Sequence, residues 1–346
     1  MTSPTRLSVL DQSPIAAGST AAQAVANTLD LARVADRLGY HRYWLAEHHA
    51  SPALAGAAPE ALIGPVALAT TRIRVGSGGI MLPHYSPFKV AETFRLLAAI
   101  APGRIDLGLG RAPGSDQRTA LALRQDRARG FGAEDFTQSL AELLAYLDEA
   151  PDGGLPADHA FAVLRDTLPS GGGVLPVWLL GSSHDSAMLA ARLGLPYCVA
   201  DFINSDGDEL AELYRRNFRP SAHLDAPNVI AAVWTIAAPT TEEAARLAMP
   251  AAMMFAHLMR GVLIPVPSIE QAETWLAANP QSLAMRRRRV VTGAPAEVRA
   301  QLDEVATLYG ADELMLVNIL PDHAARIRSY ELVAAEYGLA MLERAA

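Results

Sequence analysis

The chain has 346 residues, 51% of them hydrophobic, with a formal net charge of −8 and a pI near 5.6. An acidic balance excludes the basic footprint that nucleic-acid binding requires, so small molecules are the expected partners. Cys198 is the only cysteine, which excludes an intramolecular disulfide and a cysteine-cluster metal site. Its setting, Tyr197-Cys198-Val199-Ala200, reads as a buried, inert thiol. There is no basic-then-apolar leader and no apolar run long enough to span a bilayer, so a cytoplasmic protein without a membrane partner is expected.

Taken in order, short apolar runs alternate with amphipathic helical patterns, the mark of repeated βα units. Strands are expected at 7–11, 41–46, 73–80, 105–110, 177–181, 197–201, 229–237 and 313–318. Between the first two, Val25, Leu29, Ala32 and Ala35 recur at helical spacing and Gly39 supplies a stop. After the third, Ser86-Pro87 gives a cap and a first-turn proline before the stripe Val90, Phe94 and Leu97. After the seventh, Thr240 and Glu243 fit a capping box. A set of parallel strands, each followed by a helix, predicts a (β/α)8 TIM barrel, because closure removes the edges that an open doubly wound sheet leaves.

A single barrel domain spanning 1–346 is expected, with insertions after the fourth and seventh strands, at about 111–176 and 238–312. The first holds Gly/Pro-rich pieces at 151–156 and 169–173. The second holds Met249, Met253, Met254, Phe255, Leu258 and Met259, then the basic run 286–289. It is the candidate lid, its methionines suiting an adaptable apolar wall, although a packed core helix and a solvated basic face explain the same residues.

Four constellations offer chemistry. Tyr43-Trp44-Leu45-Ala46 ends in Glu47-His48-His49, so a buried strand emerges as one carboxylate and two imidazoles where barrel ligands bind. Glu47 and His49 share one side of an extended segment, with His84 a possible third metal ligand. Acid/base work and simple strand capping are the other readings. In Gly76-Ser77-Gly78-Gly79-Ile80-Met81-Leu82-Pro83-His84, glycines interrupt a strand, either to admit a flat ligand or to relieve crowding.

Gly108-Leu109-Gly110-Arg111-Ala112-Pro113-Gly114 has the wrong spacing for a dinucleotide fingerprint and leaves an arginine at a strand end, suited to an anion or a surface salt bridge. In Gly181-Ser182-Ser183-His184-Asp185-Ser186, a helix N-terminus with glycine and hydroxyls reads as a phosphate site or as an ordinary cap by Ser183.

In this order, these motifs resemble the bacterial luciferase-like flavin-dependent monooxygenases. The resemblance extends to Gly293-Ala294-Pro295-Ala296-Glu297-Val298 and Gly310-Ala311-Asp312-Glu313-Leu314-Met315-Leu316-Val317, and so covers most of the chain. It implies a TIM barrel that binds reduced FMN non-covalently, takes it from a separate reductase and activates O2 as a flavin hydroperoxide. His48 matches the family's catalytic histidine, flanked by Glu47 and His49. Gly78-Gly79 match a non-proline cis peptide under the flavin, and Arg111, Ser183 and Ser186 match contacts to the FMN phosphate.

Ser182 stands where luciferase has a flavin-contacting glutamate, which points to a non-luminescent member acting on another organic, apolar or aromatic substrate. The resemblance also implies a homodimer formed through the helices after the second and third strands. A deazaflavin-dependent hydride transferase and a non-catalytic flavin-binding protein are the competing functions.

Overall fold

The apolar runs form strands whose side chains alternate between two directions, and that alternation divides the core in two. The computed structural model of the protein describes residues 6–112, 116–123, 133–147, 155–156, 158–222, 224–284 and 289–340. Its strands are β1 (Arg6–Asp11), β2 (Arg42–Leu45), β3 (Arg74–Ser77), β4 (Ile80–Met81), β5 (Ile105–Gly110), β6 (Val177–Gly181), β7 (Tyr197–Ala200), β8 (Val229–Ala237), β9 (Val290–Gly293) and β10 (Glu313–Val317). All pairings are parallel, and β1-β2-β3-β5-β6-β7-β8-β10 close on themselves. The closing contact runs in register from Glu313↔Ile230 to Val317↔Trp234, so the open-sheet alternative has no edge left to stand on.

Outward-facing Leu7, Val9, Tyr43, Leu45, Leu314 and Leu316 join the large core between strands and helices. Inward-facing Leu10, Trp44, Trp178, Cys198, Ile230 and Met315 fill the barrel. Where the strands begin, the inward positions carry charge. Arg42 Nη1 lies 2.8 Å from Asp106 and its Nε 3.0 Å from Glu313, while Arg74 Nη2 lies 2.6 Å from Asp106. The Ser8 hydroxyl donates to Glu313, and the Arg42 guanidinium sits 4.8 Å from the centre of the Trp178 ring. Buried charges persist only when paired, and here the pairing plugs the amino-terminal end of the barrel.

Two strand expectations change. The third run breaks at Gly78-Gly79, a cis peptide, and resumes as β4 beside β5. β9 was not anticipated, because four residues directly after a basic run carry too little alternation to register. It pairs with the far half of β8, from Trp234↔Val290 to Ala237↔Gly293. The helix Pro295–Tyr309 packs on β8 and β9 as the crossover to β10, which leaves the helices Met249–Leu258 and Ile269–Ala278 as the extra material of 238–312.

The helix Ala21–Leu38 ends at Gly39 with φ 87, but it buries Ala24, Thr28, Leu31, Ala32 and Ala35 and leaves Val25 and Leu29 half-buried. Ser86 accepts the Lys89 N–H ahead of a buried Val90-Phe94-Leu97 stripe. Thr240 accepts the Glu243 N–H, and the Thr240 N–H makes no return bond to the Glu243 carboxylate, so only half of the capping box is present. Residues 113–115, 151–154 and 286–288, parts of three expected features, lie outside the described residues. No helix among the described residues is long and apolar enough to cross a membrane.

Candidate active site

β2 is buried on both faces, and the chain leaves it in a fixed way. Ala46 N–H still donates to Asp11 O at 2.9 Å, His48 N–H donates to Gly56 O at 2.8 Å, and the backbone turns at Ala50 with φ 51. The extended geometry places Glu47 and His49 on one side and His48 on the other. Fully buried Glu47 has Oε1 2.7 Å from His49 Nε2, and its Oε2 accepts Met81 N–H at 2.9 Å. Glu47 therefore fastens the end of β2 to β4, just past the cis bond. His84 meets His49 edge to face with ring centres 5.7 Å apart. Among the described residues no group of three His, Cys, Asp or Glu side chains is arranged to hold a metal ion.

His48 points the other way, into a cavity of about 640 Å³ at the carboxyl ends of the strands. The same cavity is lined by Gly78, Gly79, Arg111, Ser182, Ser183 and Ser186, so every residue singled out for cofactor binding meets His48 there. Glu47 and His49 do not line it. Burial, then the neighbouring His49, pushes His48 down to about 4, so the imidazole is neutral at physiological pH. Its Nδ1 is enclosed without a hydrogen-bond partner.

At the cavity wall the chain itself crowds both glycines, Gly79 against backbone and Gly78 against a side chain. A Cβ on Gly79 would stand 2.6 Å from Gly108 O, and one on Gly78 2.5 Å from Leu10 Cδ1. Crowding relief and a flat wall are thus one feature. Opposite, Ser183 caps the helix His184–Leu193 in a reciprocal box with Ser186, whose Oγ also lies 3.0 Å from the Tyr197 hydroxyl. Arg111, at the end of β5, pairs with Asp185 at 3.2 Å. Cap and salt bridge, the structural readings of these residues, are both present. Around the barrel, β2 and β6 are three strand spacings apart, roughly 14 Å. The helix N-terminus and Arg111 together favour negative charge on that side of the mouth.

A second cavity of about 570 Å³ adjoins the first and shares Gln12, His48, Phe202 and Ile203 with it. Its far walls include Trp234, Met254, Phe255, Leu258 and Leu263, with His49 and Ser51 on the near side. Gln12, Phe202, Ile203 and Trp234 were missed by sequence reasoning. All but Trp234 lie just past a strand end, the place where barrel sites collect, and that position was the available signal. Cys198 lines the floor of the first cavity, and burial pushes its thiol up, so it stays protonated and contributes only surface.

A closed parallel barrel with a neutral imidazole at one side of its mouth, and an arginine and a helix N-terminus at the other, has the layout of a barrel enzyme whose mouth suits an anionic ligand. The sequence profile of the luciferase-like monooxygenases matches residues 5–312. A luciferase-like monooxygenase of Escherichia coli (strain K12) is 42% identical over 328 residues, 94% of this chain and 95% of that protein. An N-acetyl-S-alkylcysteine monooxygenase of Bacillus subtilis (strain 168) is 38% identical over 340 residues, 95% of this chain and 97% of that one. The crystal structure of apo-MsnO8 superposes with a TM-score of 0.87 at 39% identity, covering 98% of this chain and 100% of that one. The chain belongs to the luciferase-like monooxygenase family, and it is a flavin-dependent monooxygenase of the non-luminescent kind.

Proposed function

We propose that the protein binds reduced FMN non-covalently in the larger cavity, receives it from a separate reductase, and uses O2 to oxygenate an apolar or aromatic organic substrate held in the smaller one. The observation that carries this reading is the place of His48, on the wall shared by the two cavities.

Arg111, Ser183 and Ser186 hold the phosphate, Ser182 borders the flavin between them and the barrel, and Gly78-Gly79 present a side-chain-free surface to the ring. Bound and reduced, FMN supplies the electrons that activate O2. Neutral His48 takes up a proton and returns it on the substrate side of the ring. Glu47 and His49 shape the pocket from behind, by holding Met81 and closing the wall of the second cavity. Trp234, Met254, Phe255 and Leu258 exclude water there and set the taste for an apolar substrate. The thioether-bearing substrate named for the Bacillus relative belongs in the first panel to be tried. We propose further that two copies associate through the helices Pro59–Ala69 and Pro87–Ile100, which follow β2 and β4.

The test is to supply reduced FMN from a flavin reductase, with oxygen and a panel of apolar, aromatic and thioether compounds, and to follow product by mass. The reading expects oxygen uptake coupled to addition of one oxygen atom to one class of compound. It also expects a His48→Ala variant to bind FMN normally while product falls by about 10²-fold or more. FMN bound without oxygen chemistry, or full oxygenation by His48→Ala, overturns it.

A further inference from the structure

The cradle that faces the cofactor's phosphate contains a carboxylate of its own. Asp185 is the second residue of the helix His184–Leu193, and its Oδ2 lies 3.2 Å from Arg111 Nη1. An acidic residue in a first helical turn is ordinarily explained by the positive end of the helix dipole. That accounts for a carboxylate at this position but not for its engagement of Arg111, which comes from β5 and borders the cofactor cavity. The pair is accessible, with the arginine side chain 39% and the aspartate 72% exposed, so it exchanges partners at little cost. A side cavity of about 460 Å³ that Arg111, His184, Asp185 and Arg192 line lies next to the pair. There the two side chains have room to part.

We propose that Asp185 competes with the cofactor's phosphate for Arg111 and for the helix N-terminus, and so holds FMN affinity low enough for the flavin to be exchanged with a reductase. The inference rests on the phosphate reading of Arg111, Ser183 and Ser186 given above. With Asp185 ionised, the Arg111-Asp185 pair has no net charge, and an arriving phosphate must share the guanidinium with a like-charged group. Removing that charge leaves the arginine and the dipole acting on the phosphate alone.

The experiment measures binding of oxidised FMN and of riboflavin, which lacks the phosphate, by calorimetry at low and high salt. The proteins are the wild type, Asp185→Asn and Arg111→Met. Asp185→Asn is expected to bind FMN roughly three- to tenfold more tightly, to bind riboflavin as the wild type does, and to lose FMN affinity more steeply with salt. Unchanged or weaker FMN binding by Asp185→Asn, or equal tightening of FMN and riboflavin, overturns the proposal. If Arg111→Met at the same time lowers FMN but not riboflavin affinity, the phosphate reading survives that failure. If Arg111→Met leaves the preference for FMN over riboflavin intact, the phosphate reading falls and the competition falls with it.

Discussion

At the scale of single residues, the site turns on groups whose surroundings fix their state. His48 is pushed down to about 4 by burial and by His49, against an ordinary value of 6.5. Between those values the unfolded chain takes up a proton that the folded chain refuses. The stability contributed is therefore present above about pH 6.5 and lost as pH falls toward 4. His41, also pushed down to about 4 by burial and by Arg42, adds to the same loss. His48→Gln should remove only its own share, about 1–3 kcal/mol of the decline over that window, seen as a flatter plot of denaturation midpoint against pH. A decline identical to that of the wild type means that His48 is not held neutral by the fold. Gly79 is constrained differently, because its neighbour is backbone: Gly79→Ala puts a methyl 2.6 Å from Gly108 O. A loss of about 1–3 kcal/mol in unfolding free energy and a larger loss in FMN affinity are expected. Those glycines were legible in the sequence as an interruption of a strand. Which backbone Gly79 must clear was not, because that depends on β5 lying alongside.

At the scale of elements, the strands were legible where both faces are buried, since an uninterrupted apolar run needs no partner to be recognised. β1, β2 and β5 to β8 fall on or within a residue of the expected spans, whereas β9 depends on the far half of β8 for its existence. The charged plug at the amino-terminal end was illegible for the same reason. Ser8, Arg42, Asp106 and Glu313 come from four strands and meet only on closure. Glu47 is the element-scale counterpart at the other end, tying β2 to β4 through Met81 N–H. Glu47→Ala leaves that N–H and His49 without their acceptor and should cost about 1–3 kcal/mol. Glu47→Gln, which keeps an acceptor for Met81, should recover most of it. Denaturant midpoints with FMN titrations check both. Recovery of stability without recovery of FMN binding in Glu47→Gln shows that the charge, and not the tether alone, matters to the pocket.

At the scale of the molecule, the helices of a βα barrel run opposite to its strands, so their last turns lie at the plugged end and their first turns at the mouth. Leu68, in the last turn of Pro59–Ala69, is 75% exposed, and Leu96 and Ile100, in the last turns of Pro87–Ile100, are 55% and 44% exposed. Single exposed leucines are ordinary, but these lie on two helices that pack together. A two-fold interface meets the same patch on its partner, so a charge placed near the axis faces its own copy across the contact. On the association proposed above, Leu68→Arg should therefore shift the protein from dimer to monomer at micromolar concentration, as measured by sedimentation velocity. Because the substituted face is remote from the mouth, FMN affinity should change less than about twofold, within the usual range of surface substitutions. A variant that stays dimeric places the interface elsewhere. A variant that turns monomeric and loses FMN binding together shows that association reaches the cavity, and that the cofactor site is completed only in the pair.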